Sequence, residues 1–181
     1  MSARTKVKTI RFDATPTKLG DRTILRLPKK ASEKLPSRGQ VAVEGTIDGH
    51  AFETVLEPDG TFGHWISVDR KLQRAARITM GTAIPITVSP REEWPEPDVP
   101  DDLSAALAAA PQKIRDLWHE ITPMARWEWV RWINATRNPE TRSRRVEVSI
   151  SKLSKGSRRP CCFNLASCTD PELSRSGRLI E

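Results

Sequence analysis

Residues 89–100, Ser-Pro-Arg-Glu-Glu-Trp-Pro-Glu-Pro-Asp-Val-Pro, carry four prolines in twelve positions. Proline lacks a backbone N–H and has a fixed φ, so such a run continues neither a helix nor a central strand. It reads as a stiff acidic linker. It divides a chain of 181 residues into two parts that differ in kind.

Upstream, apolar residues come in short alternating runs, the pattern of half-buried strands. Lys6–Ala14 is the first, with Val7, Ile10 and Phe12 as its apolar members. Thr23–Leu27 follows and is closed by Pro28, and Lys29–Leu35 reads as a short helical turn ended by Pro36. Val41–Ile47 and Ala51–Leu56 flank Asp48-Gly49, whose residues tolerate the positive φ of a two-residue hairpin. Asp59-Gly60 reads as a second turn of that kind, leading into a strand over Phe62–Val68 with Phe52, Phe62 and Trp65 in the core. Lys71–Arg77 is a short basic helix. Ala83–Val88 is the last strand, and Pro85 within it points to a sheet edge or a bulge. Six short strands with little helix between them predict a small antiparallel barrel, since closure removes open edges.

Downstream, apolar residues recur at helical spacing. Asp101 or Asp102 caps a short helix through Leu103, Ala106 and Leu107 to Ala110. Pro111 opens a second, with Ile114, Leu117, Trp118 and Ile121 on one face. Thr122-Pro123 and Asn138-Pro139 are each an N-cap followed by proline at the first helical position. The helices they open carry Met124 to Ile133 and Val146 to Leu153, the last ending near Gly156. The fold class is therefore α+β. A small antiparallel β-barrel of about six strands occupies 1–88, the linker 89–100, a helical module 101–156 and a basic, loosely ordered, cysteine-containing tail 157–181.

The segment from Arg126 to Arg137 followed by Pro139-Glu140-Thr141-Arg142-Ser143-Arg144-Arg145-Val146 resembles the helical module of the bacteriocin-protection, YdeI/OmpD-associated family. In that pattern an acidic residue precedes a Trp-Ile pair, an Ala and a basic residue follow, and Glu-Thr-Arg with a second basic pair comes after. The approach through Val99-Pro100-Asp101-Asp102-Leu103 also fits. Upstream, Val41–Ile47 with Asp48-Gly49 and Phe52, then Lys71-Leu72 before Gly81, resembles the small domain of unknown function numbered 1905. The resemblance covers roughly 7–156 and implies a link to resistance against bacteriocin-like or cationic antimicrobial peptides, with no activity attached to it.

The formal charge of +7 invites a nucleic-acid reading. It divides into +8 over 1–38, −2 over 39–90, −4 over 91–140 and +5 over 141–181, so the excess sits towards the ends. No apolar run of about 18 residues spans a membrane, and the basic N-terminus lacks the apolar region of a signal peptide. A cytoplasmic protein is expected.

Glu128 with Arg142, Arg144 and Arg145 forms a candidate carboxylate–guanidinium clamp across the last two helices, because the planar guanidinium holds both oxygens of a carboxylate. Glu128, Trp132, Arg142 and Arg145 are the candidate ligand residues; a tie between helices is the plainer reading of the same charges. Cys161, Cys162 and Cys168 are candidate metal ligands or redox thiols beside Arg158 and Arg159, although adjacent cysteines fit the usual zinc spacing poorly. His64 lies in a strand and reads as a surface or barrel-mouth residue. No nucleophile-elbow, phosphate-loop, dinucleotide or zinc-protease motif occurs, so no cofactor and no enzyme are expected. The expected function is non-enzymatic binding of an unidentified ligand or protein in bacteriocin, antimicrobial-peptide or envelope stress. The alternatives are a nucleic-acid-binding barrel with basic arms and a binder of small anions at Arg142 and Arg145.

Overall fold

The computed structural model describes residues 8–160, 173–175 and 178–180. The chain forms two compact units, Met1–Pro95 with Arg178–Glu181, and Glu96–Gly177.

The first unit is a seven-stranded antiparallel sheet. In chain order its strands are β1 (Ile10–Ala14), β2 (Thr17–Leu19), β3 (Arg22–Arg26), β4 (Val41–Ile47), β5 (His50–Pro58), β6 (His64–Val68) and β7 (Ile84–Pro90). In space the order is β1-β7-β4-β5-β6-β3-β2. The outermost strands, β1 and β2, are joined by Thr15-Pro16 alone. Two residues reach about 10 Å at most, so the sheet must curl until its edges approach each other. The result is a half-open barrel. Alternation fills its inside: Ile84, Ile86 and Val88 of β7 are buried while Pro85 is exposed, and Leu25, Val43, Leu56 and Ile66 join them. Two short helices, α1 (Lys29–Ser32) and α2 (Arg70–Ala75), follow β3 and β6.

Several local expectations change. Pro85 marks neither an edge nor a bulge, because β7 lies between β1 and β4. The β4 ladder ends at Ile47↔Ile86, and the carbonyl of Pro85 accepts from Asp48 N–H at 2.9 Å beside the turn. In a strand a residue's N–H and C=O point the same way, so the missing donor faces a place where no ladder bond is needed. Asp48 (φ 47°) and Gly49 (φ 78°) form the expected tight hairpin. Asp59-Gly60 does not. There the chain makes a wider loop in which Asp59 Oδ1 accepts from Thr61 N–H (2.7 Å) and Gly63 N–H (2.8 Å). Phe62 takes φ 71° and is 74% exposed, so it is not a core residue and β6 begins only at His64. The proline-rich segment is not a free spacer throughout: β7 runs to Pro90, and Arg91 N–H donates to Ala42 O. Leu179, in the segment expected to be a loose tail, donates from its N–H to Asp59 O at 2.9 Å.

The second unit holds four helices, α3 (Asp101–Ala109), α4 (Gln112–Glu120), α5 (Pro123–Asn134) and α6 (Pro139–Ser154). Thr122 and Asn138 cap α5 and α6, accepting from Ala125 N–H (3.2 Å) and Thr141 N–H (2.9 Å). The α3 cap residue is Pro100; Asp101 and Asp102 stand in the first turn instead, where carboxylates oppose the positive helix end. Helix α6 packs on the other three through Val146, Ser149 and Leu153, spaced three and four apart. Leu103, Ile121, Trp129 and Ile133 are fully buried in this core. No helix of the described residues is long and apolar enough to cross a membrane.

Gly45 lies where three strands meet, paired with Phe52 on β5 and Val88 on β7. A Cβ there would sit 1.8 Å from the Thr87 carbonyl oxygen, which is backbone and cannot yield. Gly45→Ala should therefore lower the stability of the first unit by about 3 kcal/mol or more. Gly49→Ala has open space around it and should lose only about 1 kcal/mol, from its positive φ. Urea denaturation of the two variants of the full chain checks the order.

Candidate functional site

Helices α3, α4 and α5 end without a left-handed glycine cap; α6 has one, Gly156 at φ 84°, whose N–H donates to Leu153 O (2.9 Å). The C-cap residues of α3 and α4, Ala110 and Ile121, are extended (ψ 155° and 152°), and a proline follows within two residues. Ala110 precedes Pro111 and Thr122 precedes Pro123, and the residue before proline is pushed to extended backbone, so carbonyls at these helix ends lack intrahelical partners. Arginines from the following helix take them up. Arg115 Nη1 donates to Ala108 O (3.2 Å) and Ala110 O (2.6 Å) at the end of α3. Arg126 Nη1 donates to Trp118 O (2.9 Å), His119 O (3.3 Å) and Ile121 O (2.6 Å) at the end of α4, while its other nitrogens hold both oxygens of Glu96 (2.8 and 2.5 Å). Arg145 Nη1 donates to Trp132 O (2.6 Å) at the end of α5.

The candidate ligand residues fall within this scheme. Arg142 grips Asp102 with two nitrogens (2.6 and 2.9 Å) and donates to Asn134 Oδ1 (3.0 Å). Arg145 lies over the Trp132 ring, 5.4 Å from its centre, and Lys152 Nζ is 5.9 Å from the same ring. Trp132 meets Trp129 edge to face, with ring centres 6.3 Å apart and planes at 71°. Trp129 is fully buried and donates from its indole N–H to Arg158 O (3.1 Å). Trp132 of α5 thus lies beside Arg145 of α6, and Arg142 stands one turn before Arg145 on α6.

Glu128 does not join them, and the expected clamp is absent. Its carboxylate approaches Arg159 Nε at 3.4 Å instead. Glu128 stands one turn before Trp132 on α5, but its nearly covered carboxylate meets Arg159, while Arg142 turns to Asp102 on α3. Arg144 lines an open surface depression with Pro139, Glu140, Ser143 and Glu147. Cys161, Cys162 and Cys168 lie outside the described residues.

Among the described residues, three titratable groups are shifted. The hydrogen bond from Arg142 holds the Asp102 carboxyl below the usual range. Burial raises Glu128, against the pull of Arg159 and Arg131. Burial also lowers His64, against its bond to Gly39. His64 is not at a surface or a barrel mouth: it is 1% exposed. Its Nε2 lies 2.9 Å from Gly39 O and its backbone N–H donates to Ser32 Oγ (3.1 Å), while Nδ1 is buried without a partner. A carbonyl can only accept, so Nε2 carries the proton, and Nδ1 has no acceptor for a second one.

The chain does contain a signal for the carbonyl-holding arginines. Pro111 and Pro123 stand at helix starts, and Arg115 and Arg126 follow them by one helical turn; Arg142, one turn after Pro139, meets side chains instead, and Arg145 lies farther into α6. A side chain one turn in leans back towards the preceding helix end.

Arg126→Ala should destabilise the full chain by about 3 kcal/mol, because three carbonyls and Glu96 lose a charged donor. The half-exposed Arg142→Ala should cost about 1 kcal/mol; urea denaturation separates them. For Glu128 the folded pKa lies above the unfolded one. Its favourable contribution is therefore complete below the unfolded value and fades as pH rises through the folded value. Glu128→Gln should remove that decline, so that the difference from the wild type grows in the variant's favour between pH 4 and pH 7.

No curated protein matches the chain. Two family profiles match it, one over residues 12–88 and one over residues 96–168. Residues 12–88 match the model of a domain of unknown function (DUF1905), and residues 96–168, which include every arginine described above in the helical unit, match the model of the Bacteriocin-protection, YdeI or OmpD-Associated family.

Proposed function

We propose that this chain is a non-enzymatic binding protein and that it contributes to bacteriocin or antimicrobial-peptide tolerance through an acidic partner, not by capturing the cationic peptide itself. Trp132 carries the reading. Its ring is half-buried, wedged against Trp129, and faced by the cations of Arg145 and Lys152. A guanidinium and an ammonium beside one aromatic ring create a positive, partly desolvated face. Such a face attracts a carboxylate-bearing or aromatic group and repels a cationic peptide. The enclosed positions of His64 and Glu128 support binding over catalysis, because neither group meets a substrate in solution. Arg142 and Arg145 serve this face as its frame: each already has acceptors within the unit.

Purified protein titrated by calorimetry with a cationic bacteriocin-like peptide should give no binding heat. A polyglutamate peptide should bind, and Trp132→Ala should weaken it by at least about tenfold, or about 1.4 kcal/mol. Bacteria making the wild-type protein should survive a peptide dose that kills non-producing cells, and those making a folded Trp132→Ala should not. Tight binding of the cationic peptide, or equal survival with the variant, would contradict the reading.

A further inference from the structure

We propose that α2 and the turn after it form a binding site for polyanionic phosphate, the backbone of a nucleic acid. This site lies in the first unit and is independent of the Trp132 face. Arg70, Lys71, Arg74 and Arg77 fall within eight residues and are all exposed. Their side chains make no hydrogen bond or ion pair with any described residue. That contrasts with the second unit, where Arg115, Arg126, Arg142, Arg145, Arg158 and Arg159 are each engaged with a carboxylate or a carbonyl.

The local structure opposes these cations three times over. Arg70 and Lys71 stand in the first turn of α2, where the helix end is already positive. Arg70 and Arg74 are four apart on one face, a like-charge pair that costs roughly 0.2–0.5 kcal/mol in a helix. Arg77 follows the C-cap with φ 47°, the left-handed position where glycine or asparagine is usual. The chain keeps arginine there and closes the turn with Ile78 N–H donating to Gln73 O (3.0 Å).

The platform beneath is fixed. Asp69 Oδ1 caps α2 through Leu72 N–H (2.7 Å), and its carboxylate forms no ion pair with the four cations. Gln73 donates to Val68 O (2.6 Å) and accepts from Thr23 Oγ1 (2.9 Å), tying α2 to β3 and β6. Ala76 is buried beneath the turn. Four guanidinium or ammonium groups are therefore held outwards on a rigid base, without neutralisation. Arginine forks match phosphate oxygens, and such contacts need no base recognition. Helix α2 exposes no large apolar side chain, whereas attachment to a lipid surface buries an apolar face. The phosphate backbone of a nucleic acid is thus the better match.

The test is fluorescence anisotropy of labelled 20-nucleotide single strand and duplex with the full chain. Three or four phosphate contacts predict that affinity falls roughly 20- to 150-fold between 50 and 200 mM salt. Arg70→Gln/Arg74→Gln/Arg77→Gln should lose at least about tenfold in affinity at 50 mM salt. Removing like-charge repulsion should leave its Tm unchanged or raised, so failure to fold does not confuse the result. Lys29→Gln/Lys30→Gln/Lys34→Gln removes the same charge from another exposed cluster of the unit and should keep most of the affinity. Equal losses in the two triple variants would overturn the site, as would no binding at 50 mM. Binding to phosphatidylserine vesicles that the oligonucleotide does not displace would overturn it in favour of a lipid surface.

Discussion

The helical unit depends on how four helices joined by proline-containing turns satisfy their last carbonyl groups. A proline directly after Ala110, and another two residues after Ile121, start the next helix with its φ already set. The same prolines exclude the left-handed turn that ordinarily closes a helix. The carbonyls of Ala110, Trp118 and Ile121 at the ends of α3 and α4 are partly buried, and an unsatisfied buried acceptor costs about 1–3 kcal/mol. An arginine one turn into the next helix answers this, since its long fork reaches back and its charge matches the negative helix end. Arg115 and Arg126 do this from the first turns of α4 and α5, and Arg145 does it from the second turn of α6, so each of these helices is tied to the end of the one before it.

This frame changes how the charge of the chain is understood. A net charge of +7 resembles a nucleic-acid signature when counted as a whole. In the helical unit much of the positive charge is structural and already partnered. In the first unit α2 carries cations that no described group neutralises. The distinction lies in what each guanidinium touches. Arg142 and Arg74 are both arginines on helices, but one closes on Asp102 and Asn134 and the other faces solvent.

Features set by neighbours along the chain were legible in the sequence. The Asp48-Gly49 hairpin, the Thr122 and Asn138 caps and the apolar stripe of α6 rest on local chemistry, and the structure has each. Features set by distant partners were not legible. Strand β2 is three residues long, too short to show a period. Phe62 and His64 exchange their expected places because Asp59 widens the loop before β6, which places the imidazole inside and the phenyl ring outside. The Glu128 clamp fails because Arg142 finds Asp102, forty residues away in sequence, on a third helix. Charge complementarity alone does not say which of several carboxylates an arginine meets. The pairing of proline with arginine one turn later was in the sequence, and it becomes readable once the unsatisfied carbonyls before each proline are counted.

The central claim is that Arg126 and Arg142 are held by carboxylates and helix-end groups of their own unit and are not free to take a ligand. Nitrogen-resolved NMR of the guanidinium Nε–H groups measures this directly, through their exchange with water. Nε–H of Arg126 and Arg142, which donate to Glu96 and Asp102, should exchange far more slowly than those of Arg70 and Arg74 and should be insensitive to added phosphate. Equally fast exchange in all four, or shifts of Arg126 and Arg142 on addition of phosphate, would contradict it.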